Sequence, residues 1–401
     1  MKNIQDFELD GKTVVLRCDF NVPLKDGQID DDTKIQKSLK TINYILDHGG
    51  KLVLLSHLGR VKTEEDKAKN SLRVVSEYLT RELKRTVLFY GVVRDDNYST
   101  DIKALPKGSI VLLENTRYED VPNKLESGND PELAKYFASL GDIFCLDAFG
   151  SAHRAHASTA GIGAYIPSCL GFLMQEELQN LSYIAGNPAR PFTIMMGGAK
   201  IDDKIKLMDS LLPKCDYFLA TGGIANSFLK ALGFNVGESI STDNVEIVGK
   251  LQEMMRTYKN KIILPLDVTV ASTYDENYLK HKSIADVNDN DIIYDIGNLT
   301  IQKYKMAIDR SKTIFVNGTC GLYEDPRYVN GTQQCFNNMS LSGAEVYVGG
   351  GDSVSAAKKL GFEFKFKYLS SGGGASLEFL GDGKLEAVEY LKEHNYEENN
   401  A

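Results

Sequence analysis

Apolar residues in this chain fall in short runs, and most runs end in glycines, cations or small polar residues. In the first half Val14-Val15-Leu16-Arg17, Leu52-Val53-Leu54-Leu55, Thr86 to Tyr90, Ser109 to Leu113 and Ile143 to Leu146 read as strands. Runs this short, closed by turn-forming or polar residues, suit buried strands better than helices. Between the first two, Ile35, Leu39, Ile42 and Leu46 recur at helical spacing. That helix starts near Thr33, behind the capping acids Asp30, Asp31 and Asp32, and stops at Gly49-Gly50. A second helix is predicted over Leu72 to Leu83, while the polar stretch Val61 to Asn70 reads as a loop.

Near the middle, Pro167 and the Gly186-Asn187-Pro188 cluster punctuate a separate amphipathic segment. Met174, Leu178, Leu181 and Ala185 line one face of it, so residues 167–186 read as one helix joining two domains. Beyond it the rhythm repeats. Phe192 to Met196, Tyr217 to Ala220, Ile262 to Leu264, Thr313 to Val316, Glu345 to Val348 and Phe366 to Leu369 read as strands. Strands alternating with helices imply parallel sheets covered on both faces. The predicted fold is therefore α/β, with two doubly wound parallel-sheet (Rossmann-like) domains, 1–166 and one beginning at 187, joined by the central helix. The two lobes are expected to face a shared cleft.

A chain of 401 residues is long for one core and comfortable for two. Its net charge of −9 disfavours a general nucleic-acid surface, though it permits local basic pockets. No apolar run is long enough to span a bilayer, and the first residues lack the apolar core of a signal peptide. The six cysteines are scattered, with no CxxC, which reads as reduced, buried thiols of a cytoplasmic protein and argues against a zinc site.

In open parallel sheets, ligands bind beyond the carboxyl ends of the strands. Asp19 and Asn21, His57 and Arg60, Arg117, and the run His153-Arg154-Ala155-His156 all follow predicted strands of the first half. Arginine forks match phosphate and carboxylate, so their convergence would make a pocket for a small polyanion. In the second half the same places hold Gly197-Gly198-Ala199-Lys200, Thr221-Gly222-Gly223, Gly349-Gly350-Gly351-Asp352-Ser353 and Gly372-Gly373-Gly374. Glycines let a phosphate approach the backbone, and the helix after them offers free N–H groups. Lys200 and Lys204 stand one helical turn apart and so could reach one ligand. Asp352 is placed either to hold Mg²⁺ on phosphates or to cap its helix. Neither GxxxxGK[ST] nor a full GxGxxG occurs, which argues against a P-loop and weakens a nicotinamide dehydrogenase reading. The absence of a Ser-His-Asp order or a catalytic-cysteine pattern suits direct phosphoryl transfer, where positioning and charge do most of the work.

Taken together and in order, these segments resemble phosphoglycerate kinase. The matching stretches are Arg17-Cys18-Asp19-Phe20-Asn21-Val22-Pro23, Ser56-His57-Leu58-Gly59-Arg60, Leu113-Glu114-Asn115-Thr116-Arg117 and Asp147-Ala148-Phe149-Gly150-Ser151-Ala152-His153-Arg154. Downstream they are Gly197 to Lys204, Gly349 to Asp352 and Ser371 to Glu378, and Gly171-Phe172-Leu173-Met174 looks like the family's interdomain helix. The resemblance implies a monomeric glycolytic enzyme that moves a phosphoryl group between 1,3-bisphosphoglycerate and ADP, giving 3-phosphoglycerate and ATP, with Mg²⁺ on the nucleotide. It implies that Asp19, Asn21, Lys34, His57, Arg60, Arg117 and Arg154 hold the glycerate ligand, in domain 1–166. It implies that Lys200 lies on the transferred group, and that Lys204, Gly297, Glu324, Gly350, Gly351, Asp352 and Ser353 hold nucleotide and metal, in domain 187–375. Lys34, Lys200, Gly351 and Gly374 would be the catalytic positions, with Asp352 the metal carboxylate. The segment 376–401 would pack back on the first domain.

The chain departs from the family's pattern in several places. Lys34 stands where the family has a catalytic arginine, keeping the charge and losing the planar fork. The run Val316-Asn317-Gly318-Thr319-Cys320 lacks the family's tryptophan and its proline-methionine pair, Val61 replaces a proline, and Ser353 replaces a threonine. A second reading therefore stands beside the first: a diverged homologue that binds nucleotide or phosphoglycerate with little turnover.

Overall fold

The computed structural model describes residues 1–199, 201–272, 275–394 and 396. Its contacts divide the chain into two compact units, Met1–Gln179 with Lys384–Ala401, and Asn180–Gly383. Each carries one large, wholly parallel sheet.

In the first unit the strands lie in the order Lys2–Asn3, Ser168–Leu170, Ile143–Asp147, Thr13–Cys18, Lys51–Leu55, Ile110–Leu113, Val87–Tyr90. Every neighbouring pair is parallel. From Thr13–Cys18 the chain winds one way through residues 51–113 and later returns to build the other side. The strand order therefore reverses between Thr13–Cys18 and Ile143–Asp147, and that crevice is where such sheets bind ligands. All six residues of Thr13–Cys18 are buried, because helices cover both faces. Val14, Leu16, Leu52, Leu54 and Leu112 form the core with Ile35, Ile42 and Ile45 of the helix Thr33–Asp47. Asp32 is the N-cap residue of that helix, and Asp31 just before it accepts from Thr33 N through Oδ1 at 2.8 Å.

In the second unit the order is Ile262–Ile263, Tyr217–Ala220, Phe192–Met196, Thr313–Asn317, Glu345–Val348, Tyr368–Leu369, again parallel throughout. Numbered along the chain this is 3-2-1-4-5-6, the doubly wound order of dinucleotide-binding sheets. Its reversal falls between Phe192–Met196 and Thr313–Asn317. Both strands end on glycine: Met196 precedes Gly197-Gly198, and Asn317 precedes Gly318.

Several expectations are corrected. The central helix begins at Phe172 rather than Pro167 and runs to Ala185. Ser168–Leu170 pairs beside Ile143–Asp147 as a strand, with Phe144 N donating to the Pro167 carbonyl at 2.8 Å. Gly171 turns the chain there, because a Cβ at that position would lie 2.3 Å from the Asp147 carboxylate. The expected loop 61–70 contains a helix, Glu64–Lys69, closed by a capping box in which Thr63 N donates to Asp66 Oδ2 at 3.0 Å. It buries no residue, so hydrophobic spacing could not reveal it. Residues 267–296 form a three-stranded antiparallel sheet, Asp275–Ser283, Asp267–Ser272 and Asp291–Ile296. The sequence reading placed no element there, and Val268, Val270, Ile284 and Val287 give this sheet a core of its own. The second unit also runs to Gly383, because helix Gly374–Asp382 packs on helix Ile205–Leu211, with Ser210 Oγ donating to the Leu380 carbonyl at 3.0 Å. Helix Glu386–Glu393 belongs to the first unit, where Leu391 closes on Gly163.

Candidate active site

In the first unit the strand ends at the reversal carry Arg17, Cys18, Asp19 and Asp147. Arg17 is fully buried in an otherwise apolar strand. Its Nη1 donates to the carbonyls of Cys18 (2.8 Å) and Leu55 (3.4 Å), and its Nη2 faces His57 Nδ1 at 3.2 Å. A guanidinium has no acceptor, so His57 Nδ1 must accept and the ring proton sits on Nε2. Burial and the neighbouring Arg17 push the His57 pKa well below the ordinary value, so the ring is neutral at pH 7. His57 thus offers an Nε2–H donor rather than a charge.

Asp19 lies beside it, 5% exposed. Its Oδ2 accepts from Lys34 Nζ at 2.9 Å and its Oδ1 from Asn21 N at 3.1 Å. Burial raises its pKa, but the Lys34 ammonium, with the hydrogen bonds from Lys34 and Asn21 N, outweighs that, and the net shift is downward. Asn21 uses its Oδ1 to accept from Gly59 N at 2.8 Å, tying the Asp19 loop to the loop after Lys51–Leu55. Gly59 has φ +61°, and a Cβ there would meet Asn70 Oδ1 at 2.0 Å. Arg117 follows Ile110–Leu113, its backbone held by Asn115 Oδ1 and its Nη1 3.8 Å from Asp120.

His156 is buried, and its pKa is pushed down to about 3 by burial and then by Arg17, Arg117, Arg154 and His153. Arg17 and Arg117 depress His57 as well. Two cations felt by both histidines place the four strand-end clusters around one region. Arg60 and Arg154 are exposed, and among the described residues only their carbonyls are engaged, by Asn70 Nδ2 at 3.5 Å and by Thr159 Oγ1 at 2.9 Å.

In the second unit the glycine loops enclose a cavity of about 230 Å³, lined by Gly198, Gly222, Gly223, Ile240, Ile293, Tyr294, Leu322, Tyr323, Glu324 and Asp352 among others. One wall is apolar and the other carries two carboxylates. Gly222, at φ +52°, opens a helix whose first turn presses on the Gly198 loop. Lys204 Nζ donates to the Gly197 carbonyl. Ser353 Oγ accepts from Gly318 N and donates to the Gly349 carbonyl at 3.1 Å, so this hydroxyl knits two of the loops. Gly350 (φ +92°) precedes the helix Gly351–Lys359, and Gly373 (φ +53°) precedes Gly374–Asp382.

Gly297 is not among the residues lining this cavity. It caps the helix Asn298–Ile308, with Asp267 filling the place of a side chain, and borders a different cavity with His281 and Arg327. Lys200 lies outside the described residues.

Among the described residues no cluster of three or more His, Cys, Asp or Glu could hold a metal. Asp352 fits the lesser task of completing the shell of an ion delivered on phosphates. It is exposed in the first turn of its helix, and no hydrogen bond or ion pair among the described residues occupies its carboxylate.

Residues the sequence reading left without a role include Arg17, Glu126, Tyr294 and Tyr323. An arginine closing a Val-Val-Leu strand was the one available signal for a buried cation.

Two doubly wound sheets, one with a cationic crevice and one with glycine loops around a carboxylate-walled cavity, define an α/β enzyme that handles phosphorylated anions. Comparison with known proteins shows which family of such enzymes it resembles. The family model described as phosphoglycerate kinase matches residues 4–384. The chain is 44% identical over 385 residues to the phosphoglycerate kinase of Lacticaseibacillus casei, covering 95% of this chain and 96% of that one. It is 44% identical over 387 residues to that of Enterococcus faecalis, covering 96% of each. Among solved structures, phosphoglycerate kinase from Coxiella burnetii superposes with a TM-score of 0.87 at 36% identity, over 98% of this chain and 99% of that one. The enzyme from Pyrococcus horikoshii gives 0.84 at 28% identity, over 99% and 100%. The chain belongs to the phosphoglycerate kinase family.

Proposed function

We propose that the chain transfers a phosphoryl group reversibly between 1,3-bisphosphoglycerate and ADP, giving 3-phosphoglycerate and ATP, and that the strand-end residues of its two units do so in named roles. Family membership over residues 4–384 carries this reading. Asp19, Asn21, Lys34, His57, Arg60, Arg117 and Arg154 hold the three-carbon acid phosphate. Lys204, Glu324, Gly350, Gly351, Asp352 and Ser353 hold the nucleotide, which arrives with Mg²⁺ on its phosphates and Asp352 as the protein's carboxylate to the ion. Lys200 and the Gly372-Gly373-Gly374 backbone take the transferred group.

Written toward 1,3-bisphosphoglycerate, a carboxylate oxygen of 3-phosphoglycerate bonds to the γ-phosphorus as the bond from that phosphorus to the β–γ bridging oxygen breaks. The carboxylate carries no proton at pH 7, so no base is required. What is required is charge compensation at both reactants. Arg117, Arg154 and Lys34 supply it on the acid. His57 adds a neutral N–H donor, which orients an oxygen without adding a charge.

We also read the enzyme as a cytoplasmic monomer: the six cysteines are free and buried, and no helix among the described residues is long and apolar enough to cross a membrane. A coupled assay of 3-phosphoglycerate-dependent ATP consumption tests the activity. Folded protein that binds both ligands and shows no turnover above background would reject it in favour of the diverged binding protein that Lys34 suggests.

A further inference from the structure

Glu126 is a fully buried carboxylate in the loop between residues 121 and 130 and has no role in the reaction as written above. Its surroundings are cationic. Burial pushes its pKa up on balance, with Arg17 and the Ser158 hydrogen bonds opposing that rise, and His156 Nδ1 lies 4.0 Å from Oε1. The hydrogen bonds of its carboxylate run to the segment that follows Arg154, and its carbonyl is shared between that segment and Asn129 N of its own loop. Oε2 accepts from Ser158 N at 3.1 Å, Oε1 accepts from Ser158 Oγ, and the Glu126 carbonyl accepts from Ala157 N at 3.0 Å.

The next residue continues the chain of contacts. Thr159 Oγ1 donates to the Arg154 carbonyl at 2.9 Å and accepts from His156 N, also at 2.9 Å. The path from the Glu126 carboxylate to the Arg154 backbone is thus Ser158, then Thr159, then the Arg154 carbonyl. Arg154 itself is exposed, so nothing in its own side-chain packing fixes where its guanidinium begins. Nearby in the sequence, His153 Nδ1 is buried without a hydrogen-bond partner among the described residues, as is Arg17 Nε.

We propose that Glu126 is a positioning residue for the glycerate-phosphate site: it anchors the 154–159 segment, so that Arg154 and His156 meet the anion in one arrangement. The inference rests on the proposed function, because it assigns Arg154 to the acid phosphate.

The test uses the full chain with Glu126→Ala, Glu126→Gln and Ser158→Ala, each assayed for turnover and, by calorimetry, for 3-phosphoglycerate and ATP binding. Glu126→Ala is expected to weaken 3-phosphoglycerate about tenfold in KM and in Kd, with KM for ATP unchanged. Ser158→Ala should show a smaller loss, and the two together little more than Glu126→Ala alone, as for residues acting in one network. Glu126→Gln keeps an acceptor for Ser158 N and should recover part of the loss. A 3-phosphoglycerate Kd within twofold of wild type in folded Glu126→Ala overturns the proposal. So does an equal weakening of both substrates, which would mean general damage. If Glu126→Ala does not fold, Glu126→Gln and Ser158→Ala decide by the same two criteria. Wild-type protein that binds 3-phosphoglycerate without turning over sinks the kinase reading and leaves the Glu126 comparison standing; wild-type protein that does not bind it overturns both.

Discussion

Lys34 makes one ion pair, to Asp19 Oδ2 at 2.9 Å, with its own side chain about a third exposed and that of Asp19 only 6% exposed. Replacing it as Lys34→Met keeps the length and removes the charge. Asp19 then stays buried with a neutral His57, the Asn21 N–H and the more distant Arg17. Removing one partner of a fully buried pair costs about 3–5 kcal/mol, whereas an exposed pair is worth under about 1 kcal/mol. A one-sided pair lies between, so we expect a loss of about 2 kcal/mol. For a unit of this size that is a Tm lower by about 4–8 °C.

The pH dependence separates this from a packing defect. In the wild type the Asp19 pKa is depressed, so its contribution is present above the unfolded carboxyl value and is lost only as pH falls through the lower folded value. Without Lys34, burial dominates and the folded pKa rises above the unfolded one. The variant then loses stability as pH rises from about 4 toward that value. Thermal unfolding without ligand at pH 4, 5.5 and 7 reads this directly: the gap to wild type should widen with pH. A gap below about 0.5 kcal/mol, or one equal at pH 4 and pH 7, refutes the idea that Lys34 is what keeps Asp19 ionised.

Three further outcomes are expected. Lys34→Arg should raise kcat about tenfold if two parallel N–H donors are better than one ammonium at the transferring group, and an unchanged kcat in the coupled assay would show that the ammonium suffices. Burial pushes the Asp147 carboxyl up to about 7, above its unfolded value, so it costs the native state stability as pH rises from about 4 to 7; Asp147→Asn, which keeps the acceptor for Met174 N, should abolish that decline in unfolding scans. All six thiols are buried, and burial raises the pKa of Cys18, Cys145 and Cys215, so native protein should react with Ellman's reagent at few or none of its thiols within minutes and at six in urea; prompt reaction of Cys320 in the native protein would contradict its placement.

The central strands of both large sheets were readable because wholly buried strands are apolar along their length: Phe192–Met196 and Tyr217–Ala220 match the reading residue for residue, as does Glu345–Val348, whereas the two-residue edge strand Lys2–Asn3 was missed. The helix Glu64–Lys69 was not, since capping and charge rather than an apolar face hold it. Ser168–Leu170 was hidden because three residues carry too little periodicity to outweigh the helix that follows. The antiparallel excursion at 267–296 was missed because polar residues interrupt its runs, and only its own small core settles which face turns inward. Among site residues, each cluster's position at a strand end was legible. The neutrality of His57, the burial of Arg17 and the displacement of Gly297 from the glycine-loop cavity were not.

The sequence by itself determined the strand and helix rhythm, the family, and which chemical groups stand at the ends of the strands, because local hydrophobic spacing and local turn chemistry are properties of neighbouring residues. Only the tertiary structure decided which of those groups meet. Charge state depends on burial and on partners remote in the chain, as when Arg17 sets the proton of His57 and Glu126 reaches the segment that carries Arg154.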